Sequence, residues 1–459
     1  MNPGAKTLGR PLSRLLIASA IAAAFPAYAN DAAEIEKLKA QIEELDQKIK
    51  ILGRKQELVN EDVAAKQKAA PTVTASDRGF GFKSQDGQFE YRLRGIVHAD
   101  YREFGGDPFP TAVDGFLARR IRPTFEGTVF GKYGFRFTPE FGEATTTSTP
   151  TIVDAYLDIR EKPELQVRIG KHKPFVGLER LQSASDIKFI ERSFVSNNVL
   201  PNRDFGVSVF GDILEKRLSY AVGVFNGIQD GGNNGTTQDA NNQKTFTGRL
   251  FATPFINNSD SALRGLGFGL AGTKGNISSL ISGYKTPGQA NNFFAYKSTS
   301  ATTANGEQDR WSPQAYYYNG PFGLIYEYAW VNQPIKNGTN TTTVKNTAWQ
   351  LAGSWLLTGE DASFRGVKPF SRFQSGPEGG WGALEVVARY QENQIDEAIP
   401  SAFVPTSYAL KASGIAVGLN WYLNESSKFA VNYERTRLSG GTLDGKSENF
   451  LVGRYQLSF

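Results

Sequence analysis

From Phe80 to the C-terminal Phe459 the side chains alternate with a period of two, and this pattern limits what the chain can become more than any motif does. In the run FEYRLRGIVHADYREF, Tyr91, Leu93, Gly95, Val97, Ala99 and Tyr101 fall on one face, while Arg92, Arg94, His98, Asp100 and Arg102 fall on the other. Successive strand residues point to opposite sides of a sheet, so the run predicts a strand with one apolar and one polar face. Comparable segments recur at 115–130, 132–142, 150–160, 164–172, 205–213, 217–227, 244–254, 263–273, 310–320, 322–333, 346–357, 382–394, 411–423, 427–438 and 447–459. With 88–103 they make sixteen. Outside the N-terminus no apolar run reaches the roughly 18 residues of a membrane helix. A chain of this kind crosses a bilayer only as a closed barrel, since hydrocarbon offers nothing to an unpaired strand edge.

The connections agree with an all-β, 16-stranded antiparallel transmembrane β-barrel. Short turns at 131–132, 161–163, 214–216, 319–321 and 424–426 alternate with long loops, the arrangement of periplasmic turns and external loops. Two connections on the short-turn side, 255–262 and 358–381, are longer than that scheme asks, and 277–284 could be a short strand inside a long loop. The faces suit lipid: Phe322, Leu324, Tyr326, Tyr328 and Trp330 share one side, as do Ile415, Val417, Leu419 and Trp421. The last strand ends on an aromatic residue, Phe459, with Leu451, Tyr455 and Leu457 on its face. A soluble β-sandwich would also alternate, but sixteen strands with 32 Phe, 18 Tyr and an export signal argue against it.

Ahead of the strands lie three segments of different character. Residues 1–29 carry Lys6, Arg10 and Arg14, an apolar LLIASAIAAAF and the small-residue site Ala27-Tyr28-Ala29, the pattern of a secretory signal peptide. Those three charges are most of the net +5, so overall charge says little about partners. The absence of cysteine in an exported chain excludes a disulfide scaffold and thiolate metal sites. Residues 30–70 place Ile35, Leu38, Ile42, Leu45, Ile49, Leu52, Val59 and Val63 in steps of three and four, interrupted at Gln56, which predicts a coiled-coil helix in the periplasm. Ile at a and Leu at d favour a parallel dimer, whereas trimeric packing of barrels would impose three strands, and an amphipathic helix on another surface is the remaining alternative. Residues 71–79 read as a linker, and 80–459 as the barrel.

Phasing each strand with its apolar face to lipid gives the inward set. It contains Arg92, Arg94 and Arg102, then Arg120 and Arg122, then Lys132 and Arg136, then Arg160 and Arg168, with Arg249, Arg389 and Arg454 further on. The same phase sends Arg119, Arg435 and Arg437 outward, toward lipopolysaccharide phosphates or a subunit interface. Between the fifth and sixth strands, Arg168 to Asp204 is far too long for a hairpin and carries Lys171, His172, Lys173, Arg180, Lys188, Arg192 and Arg203. It is the expected constriction, with Lys171, Lys173 and Arg180 facing Arg92, Arg94, Arg120 and Arg122. Guanidinium groups suit an anion filter because they stay charged, fork onto two oxygens and are weakly hydrated. Release must also be possible, which favours several moderate sites. The competing reading is that these arginines balance Asp100, Glu126, Glu140, Asp154, Asp158 and Glu385, giving a weakly selective general porin.

The runs GFLARRIRPTFEGTVFGKYGFRF, VDAYLDI, VRIGKHKPFVGLERLQSASDIKFIERS and AVGVFNG resemble the phosphate-selective porin O and P family of Gram-negative outer membranes, and Lys173 to Glu179 is the most specific piece. The resemblance covers residues 88–459. It implies a trimer of 16-stranded barrels, each narrowed by an inward-folded third loop, and passage of phosphate, pyrophosphate or polyphosphate. By motif match Arg119 and Arg120 correspond to the family's paired arginines, and Lys171, Lys173, Arg180 and Arg192 to basic positions of its constriction loop. Residues 274–309 hold Lys274, Lys285 and Lys297 but no arginine, where phosphate-preferring members carry an arginine run, so the identity of the anion stays open. The expected anion-binding and pore-lining set is thus Arg92, Arg94, Arg119, Arg120, Arg122, Arg136, Arg168, Lys171, Lys173, Arg180 and Arg192. No cofactor and no nucleic acid is expected; the partners are phosphate-like anions, outer membrane and two further copies of the chain. An enzyme would need a base beside a nucleophile, and the histidines are only His98 and His172. A barrel that merely anchors the coiled coil is a further alternative.

Overall fold

The computed structural model describes residues 32–459 apart from 107–108, 110–111, 143–149, 234–241, 279, 298–301 and 377–378. The expected signal peptide lies outside the described residues. Sixteen strands form one closed antiparallel barrel: β1 (Glu90–Gly105), β2 (Gly115–Val129), β3 (Tyr133–Glu140), β4 (Thr151–Lys162), β5 (Leu165–His172), β6 (Asp204–Ile213), β7 (Leu218–Phe225), β8 (Thr245–Ala252), β9 (Leu266–Ile277), β10 (Gly306–Asn319), β11 (Phe322–Asn337), β12 (Asn340–Leu356), β13 (Ala383–Gln394), β14 (Lys411–Tyr422), β15 (Ser427–Ser439) and β16 (Ser447–Ser458). Each pairs with its sequence neighbour, and β16 closes on β1 through Arg454 opposite Asp100.

The alternation reads directly as a wall. On β14 the outward Ile415, Val417 and Leu419 are 60%, 51% and 45% exposed, while the inward Ala412, Ala416 and Asn420 are buried. Apolar residues left open in that way around a whole barrel form the band that meets hydrocarbon.

Closure depends on a glycine. The Gly95 N–H donates to the Phe459 carbonyl at 2.9 Å and Phe459 N–H returns the bond at 3.0 Å, while the Phe459 ring lies over Gly95. A Cβ at position 95 would stand 2.5 Å from the ring. The terminal aromatic is therefore seated, not merely present. Below that point the first strand finds another partner. Residues 71–79, expected as a linker, instead contribute to a hairpin of Thr72–Ser76 and Gly79–Lys83, whose second strand pairs with Glu90 to Leu93 of β1 and whose Phe80 meets Phe459 at 5.5 Å. Pro71 and small polar residues suggest a linker, but strand pairing prevails.

Residues Ala32–Ala69 form one helix, α1, of 38 residues. Acidic residues sit four places before basic ones in Glu44–Lys48 and Asp46–Lys50, the favourable order on a helix surface. The heptad residues are open, Ile42 by 64% and Leu52 by 64%.

Three connections differ from expectation. The external loop expected over 334–345 is replaced by continuation of β11 and β12 to a tight turn, Asn337 opposite Asn340, with Gly338 in the left-handed region at φ 60°. Within the loop after β9, the paired strands are Tyr284–Lys285 and Asn292–Phe294, not 277–284. The long periplasmic connection around 358–381 folds inward, placing Phe364 against Tyr316.

Gly95→Val should force Phe459 off its seat. Overpacking of this kind costs about 1–3 kcal/mol, read as a lower urea midpoint for the folded barrel; an unchanged midpoint would mean the ring turns aside freely.

Candidate functional site: a cationic constriction

After β5, Pro174 stops the strand and residues 173–203 turn into the barrel, where most are buried. A single helical turn at Leu178–Leu181 and a wide turn at Val195–Val199 compact the loop. Its backbone polar groups leave water and must find other partners. The opposite wall supplies them. Gln314 donates to the Val176 carbonyl at 2.9 Å, and Glu327 accepts the Leu178 N–H at 2.6 Å. Gln391 accepts from Phe194 N–H at 2.8 Å, Asn432 from Ile190 N–H at 2.7 Å, and Asn420 donates to the Lys188 carbonyl at 2.9 Å. These amides are what sequence reading overlooked. The signal was available: inward positions of β10 to β16 hold Gln and Asn where those of β1 to β5 hold Arg.

The loop is also clamped by charge. Glu191 accepts from Arg102 at 2.6 Å and from Arg119 at 2.7 Å, and Asp100 ties Arg102 to Arg454 at 3.0 and 2.6 Å. Burial alone would raise the Glu191 carboxyl, but Arg119 and Arg102 hold it well below the usual carboxylate range. Breaking one member of such a buried set leaves an uncompensated charge, so the set fixes the loop's position.

Arg119 is in this clamp because strand phase fails locally. His98 faces Arg120 across β1 and β2, yet Ala99 faces Ala118, so Arg119 is the extra residue of a β-bulge. A bulge re-aims side chains. It turns Arg119 inward together with Arg120, which corrects the outward phase assigned to it and leaves it an anchor of the loop.

Most predicted wall cations have carboxylate partners. Arg92 pairs with Glu90, Arg122 with Glu140, Arg136 with Glu126 at 3.0 Å and Arg168 with Asp158 at 2.8 Å; Arg94 approaches Glu126 more loosely at 3.7 Å. Arg168 lies over the Tyr156 ring, 3.9 Å from its centre. Lys171 stands in register with Ala155 and Phe205 but, unlike the exposed Ile169 and Phe205, is buried, and no carboxylate lies within 4 Å of it among the described residues. Arg92 and Arg94 lie toward the periplasmic end of β1, in register with Glu126 and Thr124, and do not face the loop cations as expected.

Four further expected cations differ from the paired ones, as do Lys428, which donates to the Ile187 carbonyl of the loop, and Arg249, which donates to Gln314. Among the described residues no carboxylate stands within 4 Å of Arg120, Lys173, Arg180 or Arg192. Arg120 contacts the His98 Nδ1 at 3.1 Å. Lys173 donates to the Gln182 carbonyl at 2.8 Å, Arg192 to the same oxygen at 2.9 Å, and Arg180 to the Ser196 carbonyl and to the Asn197 side chain. All four are buried or nearly so. Burial, then the neighbouring Arg192 and Arg203, push the Lys173 ammonium well below its ordinary range. Burial and the same two arginines act on Arg180. Arg192 is brought down to about 10 by burial, against the pull of Glu179, with Arg203 and Arg122 adding to the repulsion. The loop cations and Arg122 of the wall therefore share one patch of positive potential, the kind of site an anion relieves.

His172 bonds Ser208 at 2.9 Å, but its second nitrogen meets the Gly170 carbonyl, so no carboxylate orients the pair. Two further segments pack around the loop. Below, Gln182 donates to the Phe364 carbonyl of the long periplasmic connection at 2.9 Å. From the loop after β9, the Lys285 and Gly288 carbonyls accept from Asn198 and Arg102, each at 2.9 Å, and Phe293 packs on Phe194 at 6.1 Å. That loop meets the constriction through backbone and rings, and Lys274 is engaged at 3.0 Å with Glu307.

Comparison with known proteins places this architecture. The family model "Phosphate-selective porin O and P" matches residues 89–459. Porin O of Pseudomonas aeruginosa is 23% identical over 401 residues, 80% of this chain and 87% of that one. Among solved structures, the outer membrane channel DcaP of Acinetobacter baumannii is similar with a TM-score of 0.51 at 15% identity, covering 83% of this chain and 99% of that one. An anion-selective porin from Comamonas acidovorans is similar with a TM-score of 0.50 at 14% identity, covering 81% and 100%. A closed sixteen-stranded wall, a third loop folded across it and a family model spanning the whole barrel lead to one assignment: the chain is an outer-membrane porin of the phosphate-selective porin O and P family.

Proposed function

We propose that the chain assembles as a homotrimer whose pores pass anions by diffusion, with preference for phosphate-like oxyanions. The observation that carries the reading is the set Arg120, Lys173, Arg180 and Arg192, four cations in the constriction without a carboxylate within 4 Å among the described residues. A unit charge pair at 4 Å is worth on the order of 4 kcal/mol at an effective dielectric near 20. Several such groups together offset an oxyanion's loss of hydration, and their spread over wall and loop keeps any one site shallow enough for release. Membership in a family described as phosphate-selective supports the choice of anion. The porin from Comamonas acidovorans with a similar fold is itself anion-selective.

A second reading, a weakly selective general porin, draws support from the pairing of Arg92, Arg122, Arg136 and Arg168 with carboxylates. On that reading the four unpaired cations set the shape of the loop and little else.

The helix α1 is proposed to stand in the periplasm as the strand of a coiled coil between subunits. Its stripe of Ile35, Leu38, Ile42, Leu45, Ile49 and Leu52 is open to solvent in the single chain. Helical stability mostly comes from covering such a face. Three strands follow if the barrels are trimeric, which agrees with the family and overrides the dimer preference of Ile at a and Leu at d.

Planar-bilayer recording tests both parts. Reversal potentials in a salt gradient should report anion preference, and added phosphate should block chloride current; cation preference would overturn the proposal. Arg120→Gln with Lys173→Gln should raise the half-blocking phosphate concentration about tenfold, equivalent to about 1.4 kcal/mol, while neutral replacements of the paired Arg92 and Arg94 change it far less. Equal effects from both pairs would favour the general porin. Because Lys173 is pushed downward, raising the pH toward the ordinary lysine range should weaken anion preference early, and Lys173→Arg should remove that dependence. Removal of residues 31–70 should leave single-channel conductance intact while the oligomer dissociates at lower temperature on semi-native gels; an unchanged oligomer would exclude the coiled-coil role.

A further inference from the structure

The heptad stripe of α1 is apolar at every layer but one. Ile35, Ile42, Ile49 and Val63 occupy a positions and Leu38, Leu45, Leu52 and Val59 occupy d positions, while the a position between Leu52 and Val59 is Gln56. The layer after Gln56 is also smaller, since Val59 stands where the preceding d residues are leucine. The Gln56 amide donates one N–H to the Asn60 side-chain oxygen at 3.3 Å, one turn on. Its second N–H and its oxygen find no partner within the helix among the described residues.

Charge around this layer is one-sided. Every other lysine and arginine from Lys37 to Lys66 has an acidic residue three or four places away, as in Lys48 with Glu44 at 2.6 Å and Arg54 with Glu57 at 3.0 Å. Lys55, at the g position beside Gln56, has Ile51, Leu52, Leu58 and Val59 in those places. No carboxylate lies within 4 Å of it among the described residues. In a parallel coiled coil a g residue meets the e residue of the next helix, five places on. Glu34 meets Lys39 in this way, but Lys48 meets Gly53 and Lys55 meets Asn60. The flanks of the Gln56 layer therefore carry cations and an amide, and no acid.

We propose that three α1 helices enclose a small monatomic anion, of the halide class, at the Gln56 layer. One amide N–H of each Gln56 points at an ion on the three-fold axis, the other stays on Asn60, and the amide oxygen turns outward to accept from Lys55, which also supplies charge. The inference rests on the reading of α1 as a three-stranded coiled coil and adds a ligand that a single chain cannot hold. A buried amide left without partners is costly, and here three of them meet between a layer of leucines and a layer of valines. Three N–H donors around an axis suit a spherical ion. A tetrahedral oxyanion would bring more acceptor oxygens, and more charge, than three donors satisfy.

The chain has no cysteine, so one nitroxide can be attached to Glu43→Cys, at an outer b position, in the full-length porin. The separation of labels within the oligomer reports whether the helices associate, and label mobility on heating gives the helix midpoint in fluoride, chloride or bromide at equal concentration. Fluoride holds its hydration too firmly to enter, whereas bromide sheds it readily. Because the ion binds the assembled helices alone, the wild-type midpoint should be about 4 °C or more higher in bromide than in fluoride. Gln56→Ile should associate at least as firmly and lose that difference; Lys55→Gln should reduce it and Lys55→Arg retain it. A wild-type midpoint indifferent to the halide, with the labels still close, overturns the anion site and leaves the coiled coil standing. An equal bromide effect in Gln56→Ile does the same. Labels far apart and mobile in every salt remove the coiled coil itself, and the site with it.

Discussion

Two solvents act on this chain, and neither tolerates an unpaired backbone. Toward hydrocarbon the answer is the sheet closed on itself, with every strand flanked and the last residue bonded to the first strand. Toward the lumen the difficulty is the third loop, which carries its peptide groups into a space where water is largely displaced. The barrel meets that demand with side chains: Gln314, Gln391, Asn420 and Asn432 stand where backbone partners are lacking. The loop is held by its peptide groups and by the Glu191 clamp, which leaves Lys173, Arg180 and Arg192 without carboxylate partners. That separation between what fixes the loop and what charges it underlies the whole site.

Charge is divided along the same line. Glu191 and Asp100 gather Arg102, Arg119 and Arg454 into a buried clamp, and carboxylates of the wall hold Arg122, Arg136 and Arg168. A pore lined by that many arginines would bind an anion too tightly to release it. Neutralising most of them locally leaves positive potential concentrated in a few groups, Lys173, Arg180 and Arg192 on the loop and Arg120, Arg249 and Lys428 on the wall. Selectivity in this arrangement depends on which cations lack partners, not on how many cations there are.

The strands were legible because alternation is a local property. All sixteen segments could be read off side-chain order; of the inward set of β1 to β5, Lys132 instead falls in the exposed turn before β3, paired with Glu161. The failures lie where geometry is not local. Arg119 was phased outward because one extra residue in β2 reverses the count, and nothing in the sequence around it marks a bulge. Lys171 is assigned to the constriction loop by motif match, whereas the strand continues through it to His172 and, unlike the exposed Ile169, it is buried. The partner of Arg168, Asp158, depends on register across strands, whereas Glu90, the partner of Arg92, stands two residues away on the same strand. The hairpin at 72–83 was missed because its pairing partner, Glu90 to Leu93, is spoken for only in three dimensions.

That hairpin bears on how the molecule is made. The seam of the cylinder joins the first and the last strand, so one edge of β1 stays open until the C-terminus has been synthesised and delivered. An open edge recruits strands from other chains, and pairings so distant in sequence form slowly. The segment Gly79–Lys83 lies against the periplasmic end of that same edge and reaches it through a connection of a few residues. It can shield the start of β1 early, limiting wrong partners while the chain waits in the periplasm, and because Phe80 then touches Phe459 it also marks where the final residue must arrive.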